Sequence, residues 1–83
     1  MITVIVNDTR SHQSAVVSVW KDLAVARVAG AAAALFGYDN VAAIDLQDAE
    51  TDVVLLRERT LAEEGVEEGD CLEVCFRPTT GGV

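Results

Sequence analysis

Only one stretch of this chain has the period of a helix, and short runs with a period of two lie on both sides of it. Between Asp22 and Gly37, the residues Val25, Val28, Ala29, Ala32, Leu35 and Phe36 recur three, four and seven apart, which predicts one amphipathic helix with a single sticky face. Asp22 is suited to cap its start, and Gly37 to stop it in the left-handed conformation. The opposite face is mostly alanine and carries little charge for a solvated surface, so the chain itself or a partner is expected to cover part of it.

Before the helix, Ile2, Val4 and Val6 alternate along a first strand, Asn7 to Ser11 supplies turn chemistry, and Ala15 to Trp20 is β-branched enough to return as a second strand with Val17 and Val19, or their neighbours, inward. Trp20, at the junction with the helix, is read as a lid on the core, with an interface as the alternative. After the helix, Val41–Leu46 reads as a third strand with Ile44 and Leu46 inward. Gln47 to Asp52 is a polar loop and Val53–Leu56 a short fourth strand. Thr60 and Glu63 have the spacing of a capping box over one helical turn that Gly65 ends, with Leu61 and Val66 plugging the core. Gly69 and Asp70 turn into a last strand, Cys71–Phe76, whose Leu72, Val74 and Phe76 share one face. The class is α+β: one main helix across a mixed sheet of four to five strands. Residues 1–77 form one domain and 78–83 a flexible tail, because Pro78 cannot donate to a ladder and residues 79–82 offer no apolar anchor before Val83.

A chain of 83 residues buries roughly 60–65% of its unfolded surface, which leaves little material for a deep substrate cleft. The net charge of −8 makes nucleic acid and membrane surfaces poor partners and a basic protein surface a better one. The opening residues lack the pattern of a secretory leader and the longest apolar run is too short to span a bilayer, so the expected location is the cytoplasm. Cys71 and Cys75, four apart on one strand, are separated by roughly 13 Å, too far to bridge. They are expected to be reduced and inert. His12 stands alone in a polar turn, which gives neither a metal cluster nor a plausible nucleophile–base pair; no enzyme activity and no cofactor are expected. The acidic run from Glu58 through Glu73 reads as a solvated surface, with docking to a basic enzyme as the alternative.

The segment Thr60-Leu61-Ala62-Glu63-Glu64-Gly65-Val66-Glu67-Glu68-Gly69-Asp70-Cys71-Leu72-Glu73-Val74 resembles the stretch shared by ubiquitin and its bacterial relatives. Pro78-Thr79-Thr80-Gly81-Gly82 is similar to the ending of the molybdopterin-synthase type of sulfur carrier and to the Gly-Gly of ubiquitin-like modifiers. The resemblance implies a β-grasp fold and a bacterial modifier conjugated through the Gly82 carboxyl. The same carboxyl as a thiocarboxylate, in a sulfur carrier, is the alternative. A third reading is a non-conjugated interaction module like the small ubiquitin-like proteins of type VII secretion, which characteristically lack Gly-Gly. The implied partners are an E1-like adenylating enzyme, which uses the ATP, an E2-like enzyme, a processing peptidase and a target protein.

Gly81 gives Gly82 access, since a tail without Cβ atoms threads a narrow channel. Val83 locks the Gly82 carboxyl in a peptide bond and so calls for the peptidase; this favours conjugation over sulfur transfer. Matched to ubiquitin, Asp45 and Cys75 stand where its hydrophobic patch has isoleucine and valine, so receptors for ubiquitin are not expected to bind. Asp45, Cys75 and Arg77 are the candidate partner surface. Lys21, the single lysine, is the one side chain through which the protein could be joined to another copy of itself.

Overall fold

The computed structural model describes residues 1–40 and 43–76. Four strands and one helix follow in the order β1 (Ile2–Asp8), β2 (Gln13–Val19), α1 (Val25–Leu35), β3 (Ile44–Asp48) and β4 (Cys71–Phe76). The sheet order is β2-β1-β4-β3. β1 and β2 are an antiparallel hairpin, β3 and β4 are antiparallel, and the two central strands, β1 and β4, are parallel. Parallel neighbours need a long crossover, and the helix, β3 and the loops between supply it.

The core lies between the inward face of the sheet and α1. Ile2, Val4 and Val6 from β1, Ile44 and Leu46 from β3, and Leu72 and Val74 from β4 meet Val25, Val28, Ala29, Ala32, Ala33 and Phe36 from the helix. Ala15, Val17 and Val19 of β2 pack at the margin, which settles the inward face of this strand on Val17 and Val19. Leu61 and Val66 are buried from the loop side, also as expected.

Several local expectations are corrected. β1 runs on through Asp8 and β3 through Asp48, because the ladder continues across residues whose polarity alone suggests turns. The helix cap is Ala24, not Asp22, and no side chain caps it. Instead the returning loop satisfies the first amides, with Val25 N–H donating to the Arg59 carbonyl at 2.8 Å and Ala26 N–H to that of Arg57 at 3.0 Å. Gly37 does end the helix with a φ of +85°. Leu35 is 60% exposed, whereas Ala33 is buried; a stripe rich in alanine lets that flank approach the sheet and leaves the larger side chain at the margin. Trp20 is not a core lid: it is 60% exposed and continues the outward parity of Ser14, Val16 and Ser18. The segment Val53–Leu56 forms only a bridge from Val54 to Gln47, so the sheet has four strands among the described residues; Leu55 alone of that segment reaches the core. The turn after Thr60 is not a regular helix.

The capping box is present in both directions: Thr60 N–H donates to Glu63 Oε1 at 2.9 Å and Glu63 N–H to Thr60 Oγ1 at 3.1 Å. It belongs to a wider pattern. Eleven of the fourteen acidic residues lie between positions 43 and 76, a region short of regular structure. Asp48 accepts from the Glu50 amide, Glu64 from Leu56, Glu68 from Thr3 and Asp70 from Glu67. Carboxylates thus take up backbone donors that no ladder satisfies. This part of the acidic run is a scaffold for loops and not only a solvated face.

Candidate functional site

Because β1 and β4 are parallel, the turn after β1 and the end of β4 lie at the same end of the sheet. β4 ends there, at Phe76. Asp8 closes the inward alternation of Ile2, Val4 and Val6, yet it is a carboxylate, only 1% exposed. Ser11 Oγ and Tyr38 Oη donate to its Oδ2 at 2.6 Å and 2.5 Å, and the Arg10 amide donates to its Oδ1 at 3.1 Å. Burial pushes the Asp8 carboxyl up, but the bonds from Ser11, Tyr38 and the Arg10 and Ser11 amides outweigh it and hold the group below its ordinary range. The same bond to Asp8, aided by burial, pushes the Tyr38 phenol up.

Tyr38 follows the helix terminator and presents its ring to Phe76, edge to face, with centroids 5.2 Å apart and planes at 78°. On the same ring, the guanidinium carbon of Arg10 stands 4.4 Å from the centroid. Phe76, expected among the inward residues of β4, is 36% exposed at the end of the sheet and packs in this cluster. Gln13 Nε2 ties the turn to the helix end through the Phe36 carbonyl at 3.4 Å. The sequence reading missed this cluster. Its signal was the parity of β1: the next inward position after Val6 is Asp8, and an inward carboxylate requires partners.

Asp45 and Cys75 face one another across β3 and β4. Asp45 is half-buried and pairs with Arg57, whose Nη1 lies 3.0 Å from Asp45 Oδ1 and also donates to the Ile44 carbonyl. Asp45 thus forms a part-shielded ion pair beside a thiol. Burial, then Asp45, then Glu73 push the Cys75 thiol above its ordinary value, which disfavours the thiolate needed for nucleophilic work. Lys21 is exposed beyond β2, at the end of the sheet where β1 begins, remote from the end of β4. Arg77, Gly81, Gly82 and Val83, and the boundary between 77 and 78, lie outside the described residues.

His12, at a φ of 57°, borders an open depression with Asn7, Thr9, Ser14 and Glu73. A second depression is lined by Asp48, Glu50, Gly69, Asp70 and Cys71. Among the described residues no three His, Cys, Asp or Glu are placed to hold a metal ion, and no helix is long and apolar enough to cross a membrane.

The sequence matches no family model and no curated protein. Among solved structures it is similar to a de novo designed protein described as based on ubiquitin, at 17% identity and a TM-score of 0.80, with 99% of this chain and 95% of that chain covered. At that identity the likeness shows the fold: a ubiquitin-like β-grasp of the α+β class.

Proposed function

We propose that this chain is a bacterial ubiquitin-like protein modifier, processed after Gly82 and conjugated through that glycine by an E1/E2-like system. One observation carries the reading: a ubiquitin-like sheet whose last strand ends at Phe76, followed in sequence by Arg77-Pro78-Thr79-Thr80-Gly81-Gly82-Val83. The chemistry resides in the Gly82 carboxyl. A peptidase first hydrolyses the Gly82–Val83 bond. The adenylating enzyme then joins the carboxylate to AMP from ATP with release of pyrophosphate. A thiol of the enzyme displaces AMP, and an amine of the target displaces that thiol. Every catalytic group in this sequence of steps belongs to a partner, in keeping with the open depressions and the disfavoured Cys75 thiolate. The Asp45–Arg57 pair supports partners distinct from the receptors that read ubiquitin's apolar patch.

Intact mass tests the reading, taken before and after co-expression with the enzymes encoded beside it, with ATP present. Loss of Val83 followed by an adduct through Gly82 is expected, and a Gly82→Glu variant should form none. A mature chain ending in Gly82 that gains the mass of one sulfur-for-oxygen exchange would select the sulfur carrier instead. An unchanged 83-residue chain, with those enzymes shown active, would reject conjugation and leave an interaction module.

A further inference from the structure

β1 supports β4 only in part. Ile5, Val6 and Asn7 pair with Cys71, Leu72 and Glu73, and there the parallel ladder ends. From Val74 to Phe76 the strand is paired, among the described residues, with β3 alone, through Leu46, Asp45 and Ile44. A strand end held on one side should fray. Here the missing ladder is replaced by side chains, since the ring of Phe76 is gripped by the guanidinium of Arg10 and the edge of Tyr38. One carboxylate anchors both residues: Asp8 takes the backbone amide of Arg10 on one oxygen, which holds the main chain from which the guanidinium reaches Phe76, and the Tyr38 hydroxyl on the other.

We propose that Asp8, Arg10 and Tyr38 form a clasp on Phe76 that fixes the point at which the C-terminal segment leaves the sheet, and so sets the length of the tether between the folded domain and Gly82. Its use for positioning rests on the reading of Gly82 as the reacting carboxyl. With the clasp closed, Gly82 is the sixth residue after Phe76, a span of roughly 20–22 Å at full extension. With β4 frayed back to Glu73 the tether is nine residues, roughly 30–32 Å. An enzyme that holds the domain and acts at the tail end meets the carboxyl at a lower local concentration on the longer, looser tether. Arg10 and Tyr38 are then positioning residues, acting through Phe76.

The test uses the full chain carrying Arg10→Ala or Tyr38→Phe, with Arg10→Lys as the conservative variant that keeps the cation. Amide exchange is measured at Val74, Cys75 and Phe76 and, for reference, at Val4 and Val6. Chymotrypsin is the second probe, its cut at the Phe76–Arg77 bond followed by mass. Arg10→Ala and Tyr38→Phe are expected to lower protection at 74–76 by about tenfold or more with the reference amides unchanged, and to speed the cut, with Arg10→Lys close to wild type. Unchanged exchange and cleavage in both variants would overturn the clasp. With each chain first processed to Gly82, and an adenylating enzyme that charges the processed wild type, kcat should fall several-fold in the frayed variants while KM holds. Fraying without any loss of kcat would overturn the positioning role. A wild type processed to Gly82 that the adenylating enzyme encoded beside it, shown active, does not charge sinks the reading of Gly82, and the exchange result still decides the clasp.

Discussion

Replacing Leu61 by alanine should cost far more than the same change at Leu35, although sequence periodicity points to Leu35 as the core residue. Leu61 sits in a loop, fully buried, while Leu35 lies on the helix and is mostly exposed. The backbone around Leu61 is pinned: its own amide donates to the Leu23 carbonyl at 3.1 Å, its carbonyl accepts from Val66 at 2.9 Å, and Ala62 donates to Lys21 at 2.8 Å. A site held this way cannot collapse onto the space left behind, which places the cost in the middle to upper part of the Leu→Ala range, about 3–4 kcal/mol. A domain of this length is stable by roughly 4–12 kcal/mol in total, so the variant should be marginal and its midpoint should drop by more than about 12 °C. Leu35→Ala should stay within about 0.5–1 kcal/mol, since little apolar area is lost and alanine favours the helix. Urea unfolding followed by far-UV circular dichroism measures both. A cost below about 1 kcal/mol at Leu61, or equal costs at the two positions, would refute this packing.

Acid should weaken the fold through Asp8. Its carboxyl is held below the ordinary value of 3.8, so its contribution is complete above that pH and is lost as the pH falls through the lower folded value; an Asp8→Asn variant should be less stable at pH 7 and show a shallower loss of stability in urea titrations below about pH 4. At Cys75 the raised thiol pKa predicts slow alkylation by iodoacetamide near pH 8, followed by peptide mass, and labelling at the rate of an unstructured cysteine peptide would contradict the burial and charge assigned to that site.

The legible parts of the fold were those where one physical rule acts alone. The alternation of Ile2, Val4 and Val6, the left-handed Gly37 and the Thr60–Glu63 capping box are local, and each stands where the sequence places it. The illegible parts are those where distant chain supplies the partner. Asp22 has the chemistry of a cap, but the loop at Arg57 and Arg59 brings carbonyls to the helix start and makes a side-chain cap unnecessary. Asp8 has the chemistry of a turn, but Tyr38, thirty residues on, turns it into a buried anchor. The hydrophobicity of Trp20 points to the core, whereas the parity of β2 places it outward. At the candidate site, the facing of Asp45 and Cys75 follows from strand order, whereas the Arg57 pair depends on a loop path that no period encodes.

The parallel pairing of β1 with β4 has a consequence for quality control. Its contacts join position 5 to position 71, and closing a loop of that length costs about 3.7 kcal/mol in chain entropy beyond the constant term. The hairpin and the helix can form early from neighbouring residues, but among the described residues β3 pairs with no strand except β4, and β1 keeps an open edge until β4 inserts. The sheet therefore completes only when the last of its strands is in place. A chain broken off before Cys71 has no central strand to join its halves and is left as prey for proteases. Folding thus acts as an inspection for completeness: any copy that survives in folded form has been made through β4, the strand from which the Gly81-Gly82 segment continues.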